Sequence, residues 1–385
     1  MEDESFALSF DNTTENISEN NLLYDKTIGI FIVDFRVYYR YGFEFSLYGY
    51  FMPVWTLLNI ALYTTMICVF VKCNLTSKTH LCIIALAISD SIAPICPSFF
   101  WFYFFTVKEE FRYVPFEWCR AFHYLTEIIP SLFTYSSFFL TIVLAIQRYT
   151  VIAFPFKVDK LCSRKIMNIC IILCFVVSIS IRAIHFFHYS YVQHTIHRTE
   201  NKNTSEEICA FGDPEWLDIT FSKYAAILQT THTIIVNVIP CTLLVIIECL
   251  MLRAVHKNSI SRKRMVRSST GLSKLQENEK RLTYTTISIT GVLLLHKIPT
   301  ICIQIIDILR SMFGIQLITN YFDLWTTTVV LNIFYWMCTP SNFLITCCLS
   351  GEFRKGLKGL FRRSENRAPI QNFSSLSSGT ASSHM

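Results

Sequence analysis

IPSLFTYSSFFLTIVLAIQRYTVIAF, residues 129–154, runs from Ile129 to Gln147 without a charged side chain and then meets Arg148. An apolar run of this length is what a helix needs to cross the hydrocarbon core of a bilayer. The same pattern recurs along the chain. Runs with few charges occupy roughly residues 47–72, 79–105, 121–151, 166–189, 221–255, 282–310 and 323–349, seven in all. Helix is the expected form, because a backbone facing lipid must satisfy its own hydrogen bonds. The short alternating segments of a membrane β-barrel are not seen. Composition agrees: 52% of the 385 residues are hydrophobic and 16% charged, with a mean hydropathy of +0.39. The sequence predicts an all-α membrane protein, a seven-transmembrane-helix bundle over residues 47–349.

Lys and Arg set the orientation, since they favour the cytoplasmic side. The segments 72–79, 148–165, 253–281 and 350–385 hold 22 of the 34 Lys and Arg, and they alternate with the N-terminal side. Residues 1–46 carry nine Asp and Glu against three Lys and Arg. The expectation is a plasma-membrane protein, multi-pass, with 1–46 extracellular. The start MEDESFALSF lacks the basic flank and apolar core of a signal peptide. The net charge of +6 is then the membrane-facing bias and not a nucleic-acid surface. Sequons at Asn12, Asn16 and Asn203 fall on the outer face and are candidate glycosylation sites. Of the 15 cysteines, most lie within helices or on the inner side, where they act as small buried hydrophobes. Cys119 and Cys209 are the clear outer pair; a bridge between them would pin the loop after helix four over the bundle mouth, the alternative being two free thiols. After helix seven, GEFRKGLKGLF sets Phe353, Leu357, Leu360 and Phe361 on one face and Lys355, Lys358, Arg362 and Arg363 mainly opposite. That describes a short amphipathic helix, 350–363, lying on membrane lipid. The Ser-rich tail, 364–385, is expected to be disordered, cytoplasmic and open to phosphorylation.

Seven helices, an outer N-terminus, a Cys ahead of helix three and an Arg at its inner end resemble the rhodopsin-like G-protein-coupled receptors over about residues 47–362. IPSLFTYSSFFLTIVLAIQRY (129–149), VIPCTLLVII (238–247) and TPSNFLITCCLSGEFRKGL (339–357) are similar to invertebrate myosuppressin, sex-peptide and FMRFamide-type neuropeptide receptors and related nematode serpentine receptors. The resemblance implies that Arg148 is held by a carboxylate at rest and released to meet a heterotrimeric G protein. Its head is expected to reach water while its stem lies among apolar neighbours. Gln147 stands where members often carry an acid, so the restraint beside Arg148 and Tyr149 is weaker; the cross-helix acid is Glu279. The alternative is two separately solvated charges. Pro240, Pro299 and Pro340 match the kink positions of helices five, six and seven, and each removes a backbone hydrogen bond.

Asp90, in LAISDSIAP, matches the sodium-binding aspartate of such receptors, with Ser137 as a second ligand and a sodium ion as allosteric modulator. The set is incomplete, because helix seven has Thr339-Pro340-Ser341-Asn342-Phe343 where many members have Asn-Pro-x-x-Tyr, and Tyr63 stands where Asn is common. A buried polar network or a protonated carboxyl is the alternative. Lys297, two residues before Pro299, occupies a position that is often Trp. An ammonium in the bundle centre requires a partner or water, and Glu127 is the expected partner. The ligand pocket is expected at the outer mouth, with Tyr124, Glu127, Tyr135, His232, Lys297, Gln304, Asp307, Asp323 and Trp325 as candidates. Acids there would suit a cationic ligand such as an amidated, Arg-containing peptide. The resemblance further implies receptor kinase and arrestin as partners of the tail.

There is no HExxH, GxSxG or P-loop, and no cysteine spacing for zinc, so no catalytic function and no other cofactor is expected. The leading reading is a receptor for an extracellular neuropeptide. Its rivals are a chemosensory receptor for a small environmental molecule and, further off, a transporter or channel, for which inverted repeats would be expected.

Overall fold

The computed structural model describes residues 24–25, 30–32, 46–72, 78–108, 113–186, 190–197, 205–212, 221–265, 270–313, 315 and 321–361. The sequons at Asn12, Asn16 and Asn203, and the tail 364–385, lie outside these. Among the described residues, six helices are long and apolar enough to cross a membrane: α1 (Leu47–Lys72), α2 (His80–Val107), α3 (Phe116–Ala153), α4 (Arg164–Ala183), α5 (Ile227–Lys257) and α6 (Arg281–Arg310). The seventh, α7, has two helical halves, Tyr321–Cys338 and Ser341–Leu349, meeting at Thr339-Pro340. Every apolar run of the sequence thus lies on one of these helices. The helix of α5 continues to Met265 and that of α6 begins at Thr270, so the basic segment between them prolongs both.

The bundle is turned inside out relative to a water-soluble protein. Val54, Leu57, Leu58, Ile172 and Leu173 are exposed, while Asn59, Asp90, Ser137, Arg148 and Lys297 are buried. Lipid solvates the outer aliphatic residues, whereas polar groups lose nothing by facing one another inside. Proline shapes several of the helices. Pro130 and Pro240 each follow a π-helical turn, His123–Ile128 and Thr233–Val238. A proline has no N–H to offer the carbonyl four residues back, and a widened turn accommodates the loss. Pro299 lies inside a continuous helix, whereas Pro340 divides α7.

One end of the bundle carries a small antiparallel sheet. Its strands are β1 (Tyr24–Asp25), β2 (Ile30–Ile32), β3 (Ser190–His197) and β4 (Ser205–Gly212), in the order β1-β2-β4-β3. The long β3–β4 hairpin pairs Gln193 with Cys209, and Cys209 is bonded to Cys119 with their Cα atoms 5.1 Å apart. The Cys209 N–H also donates to the Val114 carbonyl at 2.8 Å. Beneath the sheet lie Phe100, Trp101, Phe104, Phe105 and Phe122, which form an aromatic floor with the disulfide. At the opposite end, α8 (Gly351–Phe361) folds back against α1. Phe353 is fully buried, with its ring 5.3 Å from Phe70 and 5.9 Å from Phe343, whereas Lys355 and Lys358 are exposed. The amphipathic pattern thus has its apolar side on the bundle.

Candidate functional site

A cavity of about 340 Å³ lies in the half of the bundle nearer the sheet, with walls from α1, α2, α3, α5, α6 and α7. This is the size range of ligand pockets. Of the residues expected there, Glu127, Tyr135, Lys297 and Gln304 line it. His232 supports it from behind, with its Nε2 2.8 Å from the Tyr135 hydroxyl. Gln304 Oε1 accepts from Asn237 Nδ2 at 3.0 Å, tying α5 to α6 across the wall. Tyr124 is placed elsewhere: it packs on Phe186 and hydrogen-bonds Tyr191 of β3, whose phenol is pushed up from the ordinary tyrosine range by burial and by that bond. Asp307 is half-buried near Arg310 and is not part of the lining. The side chains of Asp323 and Trp325 lie outside the described residues.

The expected Lys297–Glu127 ion pair is not formed among the described residues. Glu127 belongs instead to a group on the α3–α4 side: its Oε2 lies 3.8 Å from His123 Nε2, and Arg182 Nη2 donates to its backbone carbonyl at 3.0 Å. Arg182 also stands over the Tyr135 ring at 5.7 Å. Lys297, which is 5% exposed, lies with Nζ 5.0 Å from the centroid of Phe138. Among the described residues the cavity is a mixed one, in which the Glu127 carboxylate and the buried Lys297 ammonium both belong to the lining.

Deeper, a cavity of about 30 Å³ borders Asp90, Ser137, Thr141, His296, Tyr335 and Asn342. Asp90 is a hub for four helices. Its Oδ1 accepts from Ser137 Oγ at 2.5 Å, and its Oδ2 from Asn342 Nδ2 at 2.8 Å and Tyr63 Oη at 3.2 Å. The Tyr63 hydroxyl also reaches the Thr339 carbonyl at 2.5 Å. Tyr63 thus takes up the tie to α7 that the sequence seemed to lack. Three neutral donors satisfy the carboxylate, and Thr141 Oγ1 donates to the Ser137 carbonyl. Thr339 and Ser341 also border this cavity, and the buried Ser341 Oγ has no hydrogen-bond partner among the described residues. The three protein donors make Asp90 a hydrogen-bond hub, and the sodium site expected at Asp90 and Ser137 stays an expectation.

At the far end of α3, Gln147 and Arg148 are both buried, Arg148 to 1% exposure. The expectation that the Arg148 head reaches water is corrected: neighbouring helices close over it in this arrangement. Tyr149 packs on the cluster of Phe138, Ala145, Cys241 and Leu244. Glu279 lies on the helix that becomes α6, but its side chain is outside the described residues, so its pairing with Arg148 stays an expectation. Phe343 packs on α8, as described above, while Asn342 serves Asp90.

Three further groups were passed over in the sequence. Arg182 interrupts an apolar run at IRA, and a charge in such a place is itself a signal. Glu248, buried on α5, accepts from Thr290 Oγ1 of α6 at 2.7 Å, and its signal was the same. Trp55 Nε1 donates to the Trp336 carbonyl at 2.9 Å, which no local pattern announces.

Comparison with known proteins then adds to this geometry. The sequence profile of the 7 transmembrane receptor (rhodopsin family) matches residues 59–349. The Sex peptide receptor of Drosophila melanogaster is 24% identical over 331 residues, covering 83% of this chain and 73% of the fly protein. Sex peptide receptor-related protein 2 of Caenorhabditis elegans is 21% identical over 326 residues, covering 83% and 72%.

Proposed function

We propose that this chain, which belongs to the rhodopsin family of seven-transmembrane receptors, receives an extracellular peptide at the cavity beneath its sheet. Membership makes it a membrane receptor that answers an outside ligand through a heterotrimeric G protein, and not an enzyme. The peptide ligand is the further step. What carries it is the cavity of about 340 Å³, walled by six helices, two of whose lining residues, Tyr48 and Trp101, also pack in the aromatic cluster around the Cys119–Cys209 disulfide. A pocket of this size takes the end of a chain and leaves the rest to contact the sheet. The relatives' names, which specify a sex peptide, support the same class.

On this reading the N-terminus is outside, the protein sits in the plasma membrane, and Arg148 is buried in the resting arrangement until the G protein draws it out. The test is expression in cultured cells with a panel of amidated and free-acid peptides, reading nucleotide exchange on the G protein. An amino-terminal tag should be accessible without permeabilisation. Arg148→Ala should reach the surface in normal amount and fail to signal. Activation by small volatile or polar metabolites, with every peptide silent, would replace the peptide by an environmental molecule.

A further inference from the structure

We infer that His123 decides which charge the cavity offers a ligand: protonated, it clasps the Glu127 carboxylate, and neutral, it leaves that carboxylate to a cationic group. That this cavity is the ligand site rests on the function proposed above. His123 is 1% exposed and opens the π-helical turn His123–Ile128, at the sheet end of α3. Its two ring nitrogens face different parts of the molecule. Nδ1 lies 2.8 Å from the Tyr191 hydroxyl, on the strand β3 that pairs with the disulfide-bonded β4. Nε2 lies 3.8 Å from Glu127 Oε2, and the Glu127 side chain is 45% exposed and lines the cavity. His123 is therefore a buried imidazole set between the hairpin and the acid of the cavity wall.

Around His123 stand Tyr124 and, on β4, Phe211, each with its ring 5.7 Å away. Arg120 covers the Tyr191 ring at 5.5 Å, and Arg182 of α4 holds the Glu127 carbonyl at 3.0 Å. The stretch of α2 packed on this turn, Ile95–Phe102, carries no charged side chain. Guanidinium charges do not change with pH, whereas an imidazole ordinarily titrates between about pH 5 and 8. The imidazole is thus the group here placed to take up a proton near neutral pH. When neutral it donates through one nitrogen and accepts through the other. It is best placed to accept from the Tyr191 hydroxyl at Nδ1 and keep Nε2–H towards the carboxylate, at a range too long for a hydrogen bond. A proton from the medium added at Nδ1 makes Tyr191 the acceptor and turns the Glu127 contact into an ion pair across one helical turn. The carboxylate is then answered from within the wall, while the Lys297 ammonium remains on the same lining. A cationic ligand is received near neutral pH and turned away in acid; an uncharged one is indifferent.

Tryptamine and tryptophol share an indole ring and differ in carrying an ammonium or a hydroxyl. Their binding to the purified receptor in lipid nanodiscs is read by saturation-transfer NMR at about pH 7.5 and about pH 5.5, on either side of ordinary imidazole titration. Tryptamine should bind the parent about threefold more weakly in acid, the weight of a part-exposed ion pair, and tryptophol equally at both. His123→Gln should keep tryptamine binding and lose its pH dependence. Glu127→Gln should bind tryptamine no better than tryptophol at either pH. Tyr191→Phe withdraws the acceptor of the second N–H without touching either titrating group; it should weaken the pH dependence, and it supplies the test should His123→Gln not fold. His296 lines the same cavity and His232 backs it through Tyr135 at 2.8 Å. His296→Gln and His232→Gln should each retain the ratio of affinities at the two pH values, whatever they do to the affinities themselves. Tryptamine binding to the parent that ignores pH, a pH step that survives in His123→Gln, or one that vanishes in His296→Gln or His232→Gln instead would overturn the assignment, as would no binding of tryptamine. The expected fragment pattern with no peptide active would refute the peptide reading and leave the role of His123 standing.

Discussion

Replacing Asp90 separates a hydrogen-bond hub from a cation site. Asp90→Ala removes the acceptor of Ser137, Asn342 and Tyr63 together. Tyr63 keeps the Thr339 carbonyl at 2.5 Å, so its loss is small. Ser137 and Asn342 are left as buried donors, at about 1–3 kcal/mol each, or roughly 2–6 kcal/mol together on the same scale, towards the low end because helices in membranes find substitute partners. Asp90→Asn keeps one oxygen for Asn342 and Tyr63 and turns an NH₂ towards Ser137, whose hydroxyl reverses to accept it. That change should cost about 1 kcal/mol or less. The assay is the thermal midpoint of purified receptor in nanodiscs, measured in sodium chloride and in choline chloride at equal ionic strength. Asp90→Ala should fall well below the parent, Asp90→Asn should stay close to it, and exchanging sodium for choline should move neither the parent nor Asp90→Asn. A rise of several degrees on adding sodium to the parent, abolished in Asp90→Asn, would refute the hub and restore the ion.

Three other outcomes follow from single contacts. Thr290→Val deletes the donor to Glu248 (2.7 Å) and strands a buried carboxylate between α5 and α6, so the tie should weaken by about 1–3 kcal/mol and basal nucleotide exchange should rise; unchanged exchange would mean α6 does not part from α5 there. Cys119→Ser or Cys209→Ser opens a link between residues 90 apart in sequence and should lower stability by about 2–4 kcal/mol, with faster proteolysis of the 190–212 hairpin as the readout. Phe353→Ala empties a fully buried site against Phe70 and Phe343; on the scale of about 3–5 kcal/mol for a buried ring, hydrogen exchange across 351–361 should accelerate sharply while the 190–212 hairpin is unaffected.

How much of this was legible from the chain depends on range. The helices were, because an apolar run such as 129–147 announces itself without reference to anything distant. Asp90 and Lys297 stood out for the complementary reason, a charge where lipid-length apolar sequence surrounds it. Arg182 and Glu248 carried the same signal and became informative only once Glu127 and Thr290 were found opposite them. Partner choice was less accessible. Helix phasing put Glu127 near Lys297, and both border one cavity, but the carboxylate lies 3.8 Å from His123, one turn back on α3. The sheet was hidden differently: SYVQHTIH and SEEICAFG lack the apolar–polar alternation of a half-buried strand, and the pairing of Ile30–Ile32 with β4 spans too great a separation for local pattern to fix.

On the function proposed above, the wall between the two cavities is where ligand and output would be coupled. His296 and Tyr335 line both cavities, with ring centroids 4.7 Å apart. Trp336, the next residue on α7, lines the larger cavity, and its carbonyl is the one that Pro340 deprives of a helical N–H. That oxygen accepts instead from the Thr339 N–H at 3.3 Å, Trp55 Nε1 at 2.9 Å and Thr339 Oγ1 at 2.7 Å. Helix α7 has thus exchanged its regular four-residue bond for a longer three-residue one and two side-chain bonds at a residue that lines the larger cavity. Side-chain donors can let go and find new acceptors, which an internal helix bond does not do without breaking the helix. One turn on, Thr339 and Asn342 carry the same segment to Tyr63 and Asp90. Coupling needs an element that both sites bias, and the lower half of α7 qualifies: pressure on Tyr335 and Trp336 from above and the Asp90 hub from below act on one hinge at Thr339-Pro340. Trp55→Phe should therefore loosen the hinge without touching the ligand, changing signalling while leaving ligand affinity for the resting receptor intact.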